Sequence, residues 1–157
     1  MTGAGGRLGR VVAQTFIERG DTISHRGRPC SYMVFAHRYR GVENFLMEMS
    51  VNVEMVANCI DTAQWEGDDR AIVIVSSVNA ETPAMNQSLG YNCSKAALNN
   101  LVRMYALKQK VRINTVSPDT FTTDTPRVSK QEVANVIAFL CSPQASGIRG
   151  EDIRVRG

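Results

Sequence analysis

The sequence predicts an α/β domain, three layers with a mostly parallel sheet between helices, and three observations carry that expectation. Residues 71 to 75, Ala-Ile-Val-Ile-Val, are apolar without a polar break and largely β-branched, the composition of a strand covered on both faces. Residues 7 to about 19 and 91 to about 108 repeat apolar side chains at the three- and four-residue spacing of helices that bury one face. From residue 71 to the end, strand-like and helix-like stretches alternate, as parallel pairing requires when each crossover is a helix.

Taken in order, a glycine cluster opens directly into the first helix, whose stripe of Leu8, Val11, Val12, Thr15 and Phe16 stops at Gly20, a good residue to end on. Asp21 to Ser24 and Ser31 to Ala36 each have the length and side chains of a short strand, separated by the turn-like Arg26-Gly27-Arg28-Pro29. Phe45, Leu46, Met49, Val53, Val56 and Ile60 predict one long helix from Val42 to about Ala63, with Asn52 at the edge of its stripe. The helix from Tyr91 turns Leu98, Leu101, Val102 and Tyr105 inward, and Val111 to Val116 reads as the next strand. Ser129-Lys130-Gln131-Glu132 is a capping box opening a helix through Val133, Val136, Ile137 and Leu140, and Ile153 to Val155 is a last short strand. In such sheets ligands sit at the carboxyl ends of the strands, which here means Ser76, Ser77 and the segment after Val116.

Composition narrows the function classes. At 157 residues, 43% apolar and 21% charged, the chain is expected to be one globular domain, with no apolar stretch of membrane-spanning length and no secretory leader expected. Cys30, Cys59, Cys93 and Cys141 are scattered, form no Cys-x-x-Cys pair, and fit reduced thiols in the cytoplasm. A net charge of +3 does not call for nucleic acid. The arginines between residues 26 and 40, with Tyr32, Phe35 and Tyr39 among them, are better read as a solvated face than as a binding patch. His25 and His37 lack partners at metal-ligand spacing, so no metal is expected, and Cys93, two residues from Tyr91, reads as a small packed thiol.

The chemistry is concentrated in Tyr91-Asn92-Cys93-Ser94-Lys95. One helical turn apart, a phenol and an ammonium are neighbours, and Ser76-Ser77 bring hydroxyls from a strand end. A free phenol ionises near pH 10, so using one as an acid–base group at neutral pH takes roughly 3 to 4 kcal/mol of electrostatic help, which a lysine supplies in part. Upstream, Thr2-Gly3-Ala4-Gly5-Gly6-Arg7-Leu8-Gly9 puts glycines where a chain turns tightly and lets a pyrophosphate approach a helix N-terminus. Arg7 stands where a third close-approach glycine is usual and is placed to meet a phosphate oxygen.

With these motifs together the chain resembles the short-chain dehydrogenase/reductases, Rossmann-fold enzymes that exchange hydride between NAD(P) and carbonyl or alcohol substrates. Thr2 to Gly9 is similar to the family's cofactor loop in the arginine variant of pteridine-reductase-like members, which implies cofactor contacts at Gly3, Arg7, Leu8 and Gly9. Asn52 matches the helix asparagine of the proton relay. Ser77, Tyr91 and Lys95 match the catalytic serine, tyrosine and lysine, and Arg112 to Pro118 with Thr123 resembles the segment covering the nicotinamide. The resemblance implies Tyr91 as general acid in reduction, Lys95 on the nicotinamide ribose and aiding the phenol, Ser77 on the substrate oxygen, and Pro118 and Thr123 beside the cofactor. Arg26 falls where NADP-preferring members hold the 2′-phosphate, so NADP(H) is expected over NAD(H), with a small carbonyl or alcohol substrate and a homodimer or homotetramer built on the Asn52 and Tyr91 helices, where Met47, Met49 and Met55 give an adaptable surface.

Five departures accompany the resemblance. The chain begins one residue before the loop, so the apolar strand that should precede it is missing and the loop has nothing behind it. Only 21 residues separate Gly20 from Val42, whereas one βαβ unit takes about 30, so a helix–strand excursion beside the adenine is missing. The family's Asn-Asn-Ala-Gly strand end is replaced by Phe35-Ala36-His37-Arg38, the glycine after Pro118 is Asp119, and the substrate-covering segment after Thr123 is cut short. These set a second expectation beside the enzyme: an inactive remnant serving as a binding or oligomerisation module.

Overall fold

The computed structural model describes residues 1–24, 28–119 and 127–157. Its sheet has four parallel strands in chain order, β1 (Tyr32–Phe35), β2 (Ala71–Val75), β3 (Arg112–Pro118) and β4 (Asp152–Val155). Helix α1 (Arg7–Glu18) precedes β1; α2 (Phe45–Met49), a π-helical turn (Ser50–Glu54) and α3 (Met55–Asp61) follow it. α4 (Leu89–Lys108) joins β2 to β3, and α5 (Lys130–Leu140) joins β3 to β4.

Every residue of β2 is buried, and its alternation explains why an unbroken apolar run was needed. Val73 and Val75 face a core with Leu8, Val12 and Phe16 of α1 and Val133, Ile137 and Leu140 of α5. Ile72 and Ile74 face the other way, against Val56 and Ile60 of α3 and Leu98 and Val102 of α4. Helices on both faces of a parallel sheet make the three layers expected from the sequence.

Several expectations are corrected. Residues 21–24 form no strand; Asp21 is instead tied to the end of α1 through Arg19 and the Phe16 carbonyl. The long helix starts at Phe45, because Asn44 caps it by accepting from the Met47 amide at 3.0 Å, and its pitch widens at Ser50–Glu54. Asn52 lies at the centre of the widened turn, 1% exposed, not at the edge of an apolar stripe. The glycine loop does rest on the sheet: Thr2 pairs in parallel with Phe35, its amide donating to Val34 O at 2.9 Å and its carbonyl accepting from the Ala36 amide at 3.1 Å.

Gly3 follows at φ +79°, and a Cβ there would stand 2.6 Å from the Ala36 carbonyl carbon. Gly9 is close-packed for a related reason: its Cβ would collide with the Gly3 carbonyl, so α1 could not fold back on its own loop. The loop thus delivers α1's N-terminus to the carboxyl ends of β1 and β2.

Candidate active site

A cleft of about 420 Å³ opens at those strand ends. Gly6, Arg7 and Leu8 line one side; Ser77, Tyr91, Lys95 and Pro118 line the other. Gly3 and Gly9 shape the loop behind Arg7 and Leu8 and are not themselves in the wall. Arg26 and Thr123 fall outside the described residues. A separate cleft of about 360 Å³ runs along β1, lined by Phe16, Ile23, Tyr32 and Val34 among others, and contains none of the expected catalytic residues.

Lys95 is the most tightly enclosed of these residues. It is 3% exposed, and its Nζ donates to the Val75 carbonyl at 2.8 Å and stands 5.7 Å from the Tyr91 ring centroid. Burial, followed by the nearby Arg38 guanidinium, pulls its pKa down to about 8, while Glu48 acts in the opposite direction. Tyr91 itself is half-buried, one turn before Lys95, with its amide capped by Ser88 Oγ at 3.0 Å. The Ser88 cap is local: it ends the loop from Pro83 and fixes where α4 begins, hence which way Tyr91 and Lys95 project.

Ser77 Oγ accepts from the Asn79 amide at 3.2 Å and caps a one-turn 3-10 segment, Val78–Ala80, at the exit of β2. Ser76, its buried neighbour, donates from Oγ to the Lys95 carbonyl at 3.2 Å, fastening α4 to the strand end. Asn52 does not line the cleft. Its Nδ2 donates to Ser94 Oγ at 2.9 Å and to Glu48 Oε2 at 2.8 Å, and its Oδ1 accepts from the Tyr39 amide at 2.7 Å. It therefore sits directly behind the α4 turn that carries Tyr91 and Lys95.

Three residues outside the sequence-derived set complete this arrangement. Glu48, 7% exposed, also accepts from Ser88 Oγ at 3.0 Å. A signal existed, since Glu48 lies four residues before Asn52, one helical turn away on the same face, whereas Phe45 and Leu46, expected in the packed stripe, are exposed. His37 bridges the loop and the π-helical turn: Nε2 donates to Val51 O at 3.1 Å, so in the neutral ring Nδ1 accepts from Thr2 Oγ1 at 2.8 Å. Arg38 lays its guanidinium carbon 5.0 Å from the Tyr91 ring centroid. No spacing rule marks these last two, because each acts across more than ten residues or between elements.

Fold and site together define a Rossmann-like α/β domain with a glycine loop facing a Tyr-Lys pair. The chain belongs to the short-chain dehydrogenase/reductase family: a family model described as enoyl-(acyl carrier protein) reductase matches residues 39–130. Human dehydrogenase/reductase SDR family member 2, mitochondrial, is 32% identical over 136 residues, covering 69% of this chain and 48% of that protein. The 7alpha-hydroxysteroid dehydrogenase of Escherichia coli K12 is 31% identical, covering 55% of this chain and 42% of that protein. The chain thus spans about half the length of the curated relatives it matches. Among solved structures, a 3-oxoacyl-[acyl-carrier protein] reductase with bound NAD from Brucella melitensis superposes with a TM-score of 0.83 at 18% identity, covering 98% of this chain and 87% of that one, a likeness of fold. Among the described residues no helix is long and apolar enough to cross a membrane and no cluster of ligating side chains could hold a metal.

Proposed function

We propose that the protein is an NAD(P)-dependent oxidoreductase that moves hydride between a nicotinamide cofactor and a small carbonyl or alcohol substrate, with Tyr91 as the general acid–base. The observation that carries this reading is the Lys95 ammonium, buried and bonded to Val75 O, 5.7 Å from the Tyr91 ring in the same cleft as Gly6, Arg7 and Leu8. Such placement of proton donor and cation is what carbonyl reduction asks of a protein.

The residues present fit a dinucleotide. Gly3 and Gly9 pack their backbones against Ala36 and against the loop itself, which holds the turn into α1, while Gly5 has open space around it and Arg7 is exposed at the helix N-terminus. When bound, the nicotinamide supplies the hydride. Tyr91 then gives its hydroxyl proton to the substrate oxygen, Ser77 Oγ holds that oxygen, and Lys95 binds the ribose and favours the phenolate left behind. Asn52, the residue the resemblance assigns to the proton relay, keeps the α4 turn in register through Ser94 from behind the cleft. Preference for NADP(H) over NAD(H) rests on Arg7, with Arg26 as the second candidate cation.

Phe45, Leu46 and Met47 of α2 and Leu89, Met104 and Leu107 of α4 are exposed, which supports a homo-oligomer formed on these helices. Four free thiols suit a reducing compartment such as the cytoplasm.

Calorimetric titration of the 157-residue chain with NADPH, followed by a ketone-reduction assay of the wild type and Tyr91→Phe, tests the reading. Saturable micromolar binding with turnover that Tyr91→Phe lowers about 10²- to 10⁴-fold supports it. A folded chain that binds no nicotinamide cofactor would overturn it.

A further inference from the structure

The cleft does not end at Tyr91. Arg38, Arg40, Asn86, Gln87 and Tyr91 line both the cleft that reaches the glycine loop and a second one, of about 410 Å³, that opens beside it. Tyr91 stands at the junction, with the loop on one side and an unassigned cleft on the other. Arg38, whose guanidinium lies against the Tyr91 ring, borders both clefts.

Among the described residues, four charged side chains line that second cleft: Arg38, Arg40, Glu43 and Glu48. Glu48 is committed, one carboxylate oxygen to Asn52 and the other to Ser88. Glu43 is exposed, and among the described residues none of the ion pairs involves Arg38 or Arg40. The Arg38 guanidinium instead lies over the Tyr91 ring at 5.0 Å. Contact with an aromatic face uses the π surface of a guanidinium and leaves its in-plane N–H donors available for a planar oxyanion. Around the first cleft the balance among the described residues is also cationic: Arg7, Arg38, Arg40 and Lys95 face it with Asp119 as the one described carboxylate in its wall, and Asp119 is paired with Arg127 at 3.3 Å. The roles assigned above to Asn52, Ser77, Tyr91 and Lys95 leave no task for a second cation beside the phenol.

We propose that the substrate is a carbonyl compound bearing an oxyanion, a carboxylate or a phosphate, close to its reacting carbon, and that Arg38, with Arg40 beside it, receives that group. The proposal rests on Tyr91 as the acid–base group, and it assigns Arg38 to specificity and not to the chemical step. The same guanidinium chemistry would serve a cofactor phosphate, so the test separates the two sources.

The probes are 2-oxobutanoate and 3-oxobutanoate, each against its methyl ester, with NADPH, on wild type, Arg38→Lys and Arg38→Ala. Arg38→Ala is expected to raise KM for an oxo acid roughly tenfold or more beyond any change for its ester, the effect of one charge-assisted hydrogen-bonded pair. Arg38→Lys should fall between, since it keeps the charge and loses the fork. Equal losses on acid and ester, or a loss confined to the NADPH dissociation constant, would overturn the assignment, the latter by making Arg38 a cofactor-phosphate contact. Should no ketone be reduced, which would defeat the oxidoreductase reading, calorimetric titration of the two oxo acids still decides. Binding weakened about tenfold by Arg38→Ala keeps the anion site; no binding, or binding indifferent to the variant, removes it.

Discussion

The two walls of the principal cleft are built differently. On the Tyr91 wall, side chains are held from behind: Lys95 is bonded to a strand carbonyl, Ser76 fastens α4 to β2, and Asn52 is locked by three hydrogen bonds. On the glycine-loop wall the work is done by backbone. The loop meets the sheet through one residue, Thr2, and keeps its shape because Gly3 and Gly9 lack side chains. Groups that move a proton need fixed side-chain directions, whereas a phosphate needs only backbone amides and room to approach. The two walls should therefore fail in different ways when altered.

The sharpest break is Tyr91→Phe. The proton donor is lost while the ring and its contacts remain, so turnover should drop about 10²- to 10⁴-fold. NADPH affinity should stay within about twofold, because the loop wall is untouched. Stopped-flow or steady-state reduction alongside calorimetry would check both halves; a matching loss of affinity would show that the walls are not independent.

Asn52→Ala attacks the same wall through stability. It strands the half-buried Tyr39 amide and the Oε2 of buried Glu48, which keeps only its Ser88 bond, and each unsatisfied group costs about 1 to 3 kcal/mol. A loss of about 3 kcal/mol in urea unfolding is expected, roughly 10 °C in Tm for a chain of this size. A loss under about 1 kcal/mol would mean that the network does not hold α4 in place.

On the loop wall, Gly3→Ala places a side chain at φ +79° against the Ala36–His37 backbone. Strain of about 1 to 3 kcal/mol should be relieved by moving the loop, so NADPH affinity is expected to fall roughly tenfold or more. Because one bridge joins the loop to the sheet, Tm should fall less than for Asn52→Ala. The reverse order of the two effects would show that the loop is structurally central.

These contrasts also explain what was legible in the sequence. The wall carried by regular elements could be read: β2 from its apolar run, α4 from its stripe, and Ser77, Tyr91 and Lys95 from spacing, because strand ends and helix turns convert sequence offsets into fixed directions. Arg7 and Leu8 were legible for the same reason, at the start of α1. Glu48 was overlooked because a buried carboxylate is identified by its partners, here Asn52 and Ser88, and only the first lies at helical spacing. Arg38 reads as part of a solvated arginine run and His37 as an isolated histidine, because their contacts with Thr2, Val51 and Tyr91 exist only once the segment after β1 meets the glycine loop, the π-helical turn and α4. Residues 21–24 looked like a strand because their side chains are compatible with one; the tie between Arg19 and Asp21 and the return of the chain onto α1 decide otherwise.

The smallest effect concerns the charge of Lys95. Its ordinary pKa of 10.5 is brought down to about 8, first by burial and then by Arg38, against the pull of Glu48. Below pH 8 folded and unfolded chains both hold the proton, and the folded state bears the full cost of the buried ammonium. Between pH 8 and 10.5 the unfolded chain binds a proton that the folded chain has released, so stability due to this group rises with pH. From pH 7 to 9 the gain amounts to about 1 kcal/mol. Above pH 9 the buried Cys141 thiol, pushed up to about 12 by burial, opposes it, because the unfolded chain then loses a thiol proton that the folded chain retains. The measurement is therefore the difference between wild type and Lys95→Met in urea unfolding from pH 7 to 9, where the wild type should gain and the variant should not. Cofactor affinity should run the other way, declining as pH rises through about 8 because the cation assigned to the ribose is being lost. A wild type whose stability is flat over this range would mean that the ammonium is better solvated than its burial indicates, and that the Tyr91 wall is more open to water than the hydrogen bond to Val75 suggests.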